Sequence, residues 1–131
     1  MKYLGIDYGS KRVGLAISDE DGKIAFPRAV VPNDEKLIPF VARMIEEEKV
    51  AKVVVGDTRS SSGIENPITK KVEAFAAALK ERGGIPVELV SEIFSSVEAG
   101  RYSEKSTDHN DASAAAIILQ RFLDMQAHRI Q

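Results

Sequence analysis

The chain has 131 residues, of which 44% are hydrophobic and 29% charged, a length and balance that suit one folded domain spanning 1–131 and exclude a disordered chain. It has no Cys, which excludes disulfides, thiolate zinc sites and cysteine nucleophiles and suits the reducing cytoplasm, and no apolar run reaches the roughly 18 residues that a membrane span needs. The formal net charge of −2 excludes attraction of nucleic acid by bulk charge, so any such binding requires a local patch of cations.

Residues 2–8 and 12–18 alternate apolar with small or polar residues on either side of Gly9-Ser10-Lys11, which predicts a β-hairpin. Asp19-Glu20-Asp21-Gly22 is a turn signal, and Lys23–Val31 is expected to form a third strand that Pro27 confines to a sheet edge. A helix is expected from about Pro32-Asn33-Asp34 to Glu48, with Leu37, Phe40, Val41, Met44 and Ile45 at helical spacing. Lys52–Gly56 reads as a strand covered on both faces, followed by a polar connection through Gly63. A second helix starts at Asn66-Pro67, carries Val72, Phe75, Ala76 and Leu79, and closes at Gly83-Gly84. Pro86–Val90 is a fifth strand, Ser95-Ser96-Val97-Glu98 a short helix with a capping-box pattern, and Asp108–Gln126 the last helix. The order βββαβαβα implies a five-stranded mixed sheet with helices on both faces, an α/β arrangement of the ribonuclease-H-like type that actin-type ATPases share.

The chemistry of interest lies in the carboxylates. Asp7 interrupts an apolar strand, where an ionised group is costly unless a metal, a cation or hydrogen bonds satisfy it. It is either a turn Asp serving the backbone at Gly9-Ser10 or a ligand-facing acid, with Gly5 and Gly9 leaving room for approach. The apolar stripe of the last helix, Ala115, Ile118, Leu119 and Phe122, extends back through Asp111 to Asp108. Those two acids are alternatively an N3 residue and an N-cap. Glu92 follows the fifth strand, at the carboxyl edge where open sheets gather ligands, or is an exposed loop acid. Three such oxygen ligands favour Mg²⁺ or Mn²⁺, and two ions about 4 Å apart could drive phosphodiester hydrolysis. Lys11, Arg12, Arg59 beside Ser60–Ser62, Lys70-Lys71, Arg101 and Lys105 are candidate phosphate contacts or plain surface. His109 and His128 have no partner at ligand spacing.

Residues 4–19, from Leu4-Gly5-Ile6-Asp7-Tyr8-Gly9 to Ile17-Ser18-Asp19, closely resemble the opening motif of the YqgF (also called RuvX) family. Val53-Val54-Val55-Gly56 is similar to its fourth strand, Ser91-Glu92 with Ser95–Ala99 to its segment around a catalytic Glu, and Asp111–Leu123 to its closing helix. The resemblance covers essentially the whole chain. It implies a ribonuclease-H fold and a metal-dependent nuclease, described as a pre-16S rRNA nuclease and, by similarity to RuvC, as a Holliday-junction resolvase. It implies Asp7, Glu92 and Asp111 as catalytic and metal-binding acids, with Asp108 matching an additional acid of RuvC-like resolvases. Three departures stand out. Ser91-Glu92-Ile93 replaces the common Asp-Glu-Arg, Gly56-Asp57-Thr58 replaces Gly-Leu-Pro, and the segment from Ala99 to Asp108 carries only Arg101 and Lys105 as cations.

The expected activity is therefore a metal-dependent endonuclease acting on structured RNA, with precursor ribosomal RNA as substrate. Branched DNA is the second substrate class, and symmetric junction cleavage would need a dimer, whereas a monomer or weak homodimer is expected here. A non-catalytic nucleic-acid-binding module of the same fold is the third reading, favoured by the acidic balance and the missing arginine. An actin-like ATPase is the fourth, and the chain has length for only one of the two domains it would need.

Overall fold

The computed structural model describes residues 1–57, 67–91 and 110–130. The elements run β1 (Lys2–Tyr8), β2 (Arg12–Ser18), β3 (Ala25–Pro32), α1 (Leu37–Glu48), β4 (Val50–Asp57), α2 (Pro67–Gly83), β5 (Val87–Ser91) and α3 (Asn110–Ile130). They form one five-stranded sheet in the order β3-β2-β1-β4-β5. The first three strands pair antiparallel through short turns, while β1, β4 and β5 run parallel. Parallel strands need crossovers, and the apolar stripes of the helices cover the sheet as they cross. The expected five-stranded mixed sheet is thus the one found.

Alternation along the strands divides two cores. Leu4, Ile6, Tyr8, Val13, Leu15, Val53 and Val55 point to one face and pack under α1 and α2, against Leu37, Val41, Val72, Phe75 and Leu79. Tyr3, Ala16 and Val54 point to the other and pack under Ala115, Ile118, Leu119 and Phe122 of α3. Val53, Val54 and Val55 are all fully buried, as a central parallel strand covered on both sides requires.

Several boundaries differ from the sequence expectation. β3 begins at Ala25 rather than Lys23, because the Asp19 carboxylate accepts the backbone N–H groups of Lys23 (2.8 Å) and Ile24 (3.1 Å) and holds them in the preceding turn. Pro27 does lie on an edge strand, and beside it the register slips, with Leu15 opposite Ala29 but Ala16 opposite Pro27. α1 starts at Leu37 because Asp34 first closes a turn, its carboxylate accepting the Lys36 N–H (2.9 Å) and its carbonyl the Leu37 N–H (3.1 Å). Phe40 is then left on the flank of the stripe, 44% exposed. α3 runs on to Ile130, beyond the expected Gln126, while the expected start at Asp108 lies outside the described residues. The short helix expected near Ser95 lies outside the described residues.

Candidate active site

Asp7 sits at the penultimate position of β1, the central strand, and is half-buried. Its cross-strand partner on β2 is Gly14, and Gly56 stands beside it on β4, one step past the Ile6–Val55 pair. The row continues outward to Val30 on β3 and Val90 on β5. Asp7 is therefore a carboxylate between two residues without side chains.

The helix above it gives the second coordinate. Tyr3, two pleats before Asp7 on the same face, meets Phe122 edge-on with ring centroids 5.9 Å apart. Gly5 lies under Leu119 and Ala115, so close that a Cβ there would sit 2.7 Å from Leu119 Cβ and 2.9 Å from the Ala115 carbonyl oxygen. The helix thus runs antiparallel to β1. One further pleat, about 6.7 Å along the strand, reaches Asp7, and one further helical turn, about 6 Å for four residues, reaches Asp111. The backbone of Asp111 is thereby level with Asp7, at the N-terminal turn of α3 where the helix dipole favours anions. β5 reaches the same carboxyl edge at Ser91, paired to Asp57. Glu92 is next in sequence and lies outside the described residues, as do Asp108, Arg59, Arg101 and Lys105. Among the described residues no three acids or histidines come together.

A family model described as RuvX, Holliday junction resolvase, matches residues 1–125. The chain belongs to the RuvX family. A curated relative from Oleidesulfovibrio alaskensis, named "Putative pre-16S rRNA nuclease", is 41% identical over 138 residues, covering 98% of this chain and 96% of its own. One of the same name from Maridesulfovibrio salexigens is 41% identical over 132 residues, covering 94% and 98%. Among solved structures, T. thermophilus RuvC in complex with a Holliday junction substrate superposes with a TM-score of 0.66 at 16% identity, covering 97% of this chain and 96% of that one. The fowlpox virus Holliday junction resolvase gives 0.59 at 16% identity, covering 96% and 99%. These likenesses make the fold of this RuvX-family chain ribonuclease-H-like.

The geometry also revises two sequence readings. Gly5 is required by the approach of α3 rather than by a ligand, and Gly9 by the hairpin turn, where a Cβ would meet the Arg12 carbonyl oxygen at 2.5 Å. The neighbours of Asp7 on β2 and β4 are Gly14 and Gly56, both buried, and they are recognisable as such only once the register is known. Lys11 and Arg12 are exposed at the same end of the sheet, and Arg12 shares the face of Gly14 and Asp7. Asn33 was read only as part of a helix start. It holds the hairpin that carries these cations, donating its side-chain amide to the Gly9 carbonyl (2.8 Å) and its backbone N–H to the Lys11 carbonyl (3.0 Å). No local signal marks that role, because its partners are 22 and 24 residues away. Among the described residues no helix is long and apolar enough to cross a membrane.

Proposed function

We propose that this protein is a divalent-metal-dependent endonuclease, one ribonuclease-H-like domain over 1–131, that hydrolyses phosphodiester bonds of structured RNA in the cytoplasm, with maturation of the 5′ end of pre-16S rRNA as its task. The observation that carries the reading is the alignment of Asp7, central in the sheet, with the α3 turn that bears Asp111. Asp7, half-buried between Gly14 and Gly56 at the carboxyl end of the central strand, is an oxygen ligand at the edge where open sheets gather ligands. The donor set fits the hard ions: carboxylate oxygens and no thiolate. In this reading Asp7, Glu92 and Asp111 hold Mg²⁺ or Mn²⁺, and Asp108 assists. Ions held there would supply an activated water and charge stabilisation for the leaving oxygen. Lys11 and Arg12 on the hairpin, with Arg59, Arg101 and Lys105, meet substrate phosphates, which supplies the local positive patch that the net charge of −2 does not.

RNA is preferred over branched DNA as substrate because the relatives at 41% identity carry the ribosomal-RNA name. The family description favours the second reading, a junction resolvase. The experiment is cleavage of a labelled pre-16S rRNA fragment and a four-way DNA junction with Mg²⁺, Mn²⁺ or chelator, beside Asp7→Asn. RNA cutting that needs metal and disappears in the variant supports the proposal. Preferential cutting of the junction transfers the activity to DNA. A folded protein that binds RNA and cuts neither substrate is a binding module.

A further inference from the structure

Tyr8 follows Asp7 directly on β1, so its side chain leaves by the opposite face of the sheet. There, between the start of α1 and the middle of α2, lies a surface cavity of about 320 Å³. We propose that this cavity receives the base of the nucleotide adjoining the scissile phosphate, an unstacked-base subsite; the inference rests on the nuclease reading above and names where its substrate is read.

The wall chemistry selects this ligand. Tyr8 and Phe75 line the cavity with ring centroids 4.9 Å apart and a tilt of 41°, and Leu37 and Ile38 add aliphatic surface. Ala74 and Ala78, on the α2 row that begins at Lys71, make the hollow, since longer side chains there would fill it. Tyr8 is only 9% exposed, and its hydroxyl has no hydrogen-bond partner among the described residues. A phenol that lines a surface cavity can hydrogen-bond a ligand that enters it. Asn33 spends its amide N–H on Gly9 and retains its carbonyl oxygen as an acceptor. Asp34 keeps one carboxylate oxygen beyond the one that caps Lys36, and Lys71 brings a cation. Flat apolar walls with mixed donors and acceptors at one end suit a heterocycle, and the nearby cation suits its phosphate. A free anion would leave the apolar walls unused.

The position is also right. Tyr8 follows Asp7 in the chain and the cavity it lines opens on the opposite face at the same end of β1, so a strand whose phosphate lies at Asp7 would enter it by rounding the hairpin at Gly9. Asn33 braces that hairpin and lines the cavity, joining the two.

The test is a heteronuclear NMR titration of the full chain with the four nucleoside 5′-monophosphates, using ribose 5-phosphate as the ligand without a base. Nucleotides should shift the Tyr8, Ala74, Phe75 and Ala78 resonances, and ribose 5-phosphate should not. Tyr8→Phe should raise the Kd by about fivefold, the loss of one hydrogen bond, and Ala78→Leu should abolish the shifts. Equal shifts with ribose 5-phosphate would reduce the site to an anion contact at Lys71. No shifts at millimolar nucleotide, or full binding by Ala78→Leu, would overturn it. RNA cleavage measured in parallel separates the two ideas. Cutting without nucleotide shifts removes the subsite and spares the nuclease, whereas shifts without cutting keep the base site and remove the nuclease.

Discussion

The two faces of the sheet are built on different principles. Under α1 and α2 the contacts are large: Leu4, Ile6, Leu15, Leu37 and Leu79 are all buried, and Tyr8 packs on Phe75. Under α3 the large residues Tyr3, Ile118, Leu119 and Phe122 surround a small-residue contact: Gly5, Ala16 and Ala115 let the helix backbone descend onto β1. Large side chains bury much apolar area and hold a helix at a distance from the sheet, whereas a helix seated on a glycine brings its backbone against the strand. That seating runs α3 antiparallel to β1, with the α3 turn that bears Asp111 towards the Asp7 end of the strand. The first face chiefly supplies stability, and the second supplies alignment.

The comparison predicts how the faces respond to change. The largest effect belongs to Asp7→Asn, which should lower turnover on RNA by about 10³-fold, roughly 4 kcal/mol of barrier, with little change in the thermal melt. A melt that falls with activity would make Asp7 a structural residue. Leu79→Ala, on the bulky face, should cost about 2–5 kcal/mol in urea unfolding and leave turnover per folded molecule within about twofold, well under one power of ten in rate. Gly5→Ala should cost about 1–3 kcal/mol by overpacking, and unlike Leu79→Ala it should also reduce kcat, because α3 must lift or slide. An unchanged kcat would separate helix position from alignment of the acids.

The smallest effect is electrostatic and lies away from both cores. Lys2 (3.1 Å) and Arg28 (2.9 Å) reach the Glu48 carboxylate, and the hydrogen bond and charge of Lys2, followed by those of Arg28, hold it below its ordinary 4.5. A depressed folded value means that the stabilisation is present above the unfolded pKa and is lost as pH falls through the folded one. Glu48→Gln should therefore be slightly less stable than the parent at neutral pH, and the gap should close below about pH 4.5. A gap that persists in acid would assign the effect to packing.

Period-two alternation in residues 2–8 and 12–18, the Val53–Val55 run, and the stripes of α1, α2 and α3 were legible without the fold, because each reports a local backbone geometry. Asp7 stood out for a similar reason, as an acid where the pattern calls for an apolar residue. The misreadings have two causes. Gly5 resembles room for a ligand because the helix over it is distant in sequence, whereas at Gly9 the local hairpin turn already accounts for the glycine. The start of α1 and the exposure of Phe40 depended on an Asp34 turn that helical spacing does not register.

By itself, then, the amino-acid order determined which segments are strands and helices, the mixed sheet that their succession requires, and the family resemblance. Those follow from side-chain periodicity and from connections too short to allow other pairings. Only the tertiary structure decided that Asp7 lies between Gly14 and Gly56, that α3 is seated on Gly5, that Asn33 braces the hairpin, and that Tyr8 opens onto a cavity. Each of these joins residues from different elements, and such contacts exist only when the sheet register and the helix seating are both set.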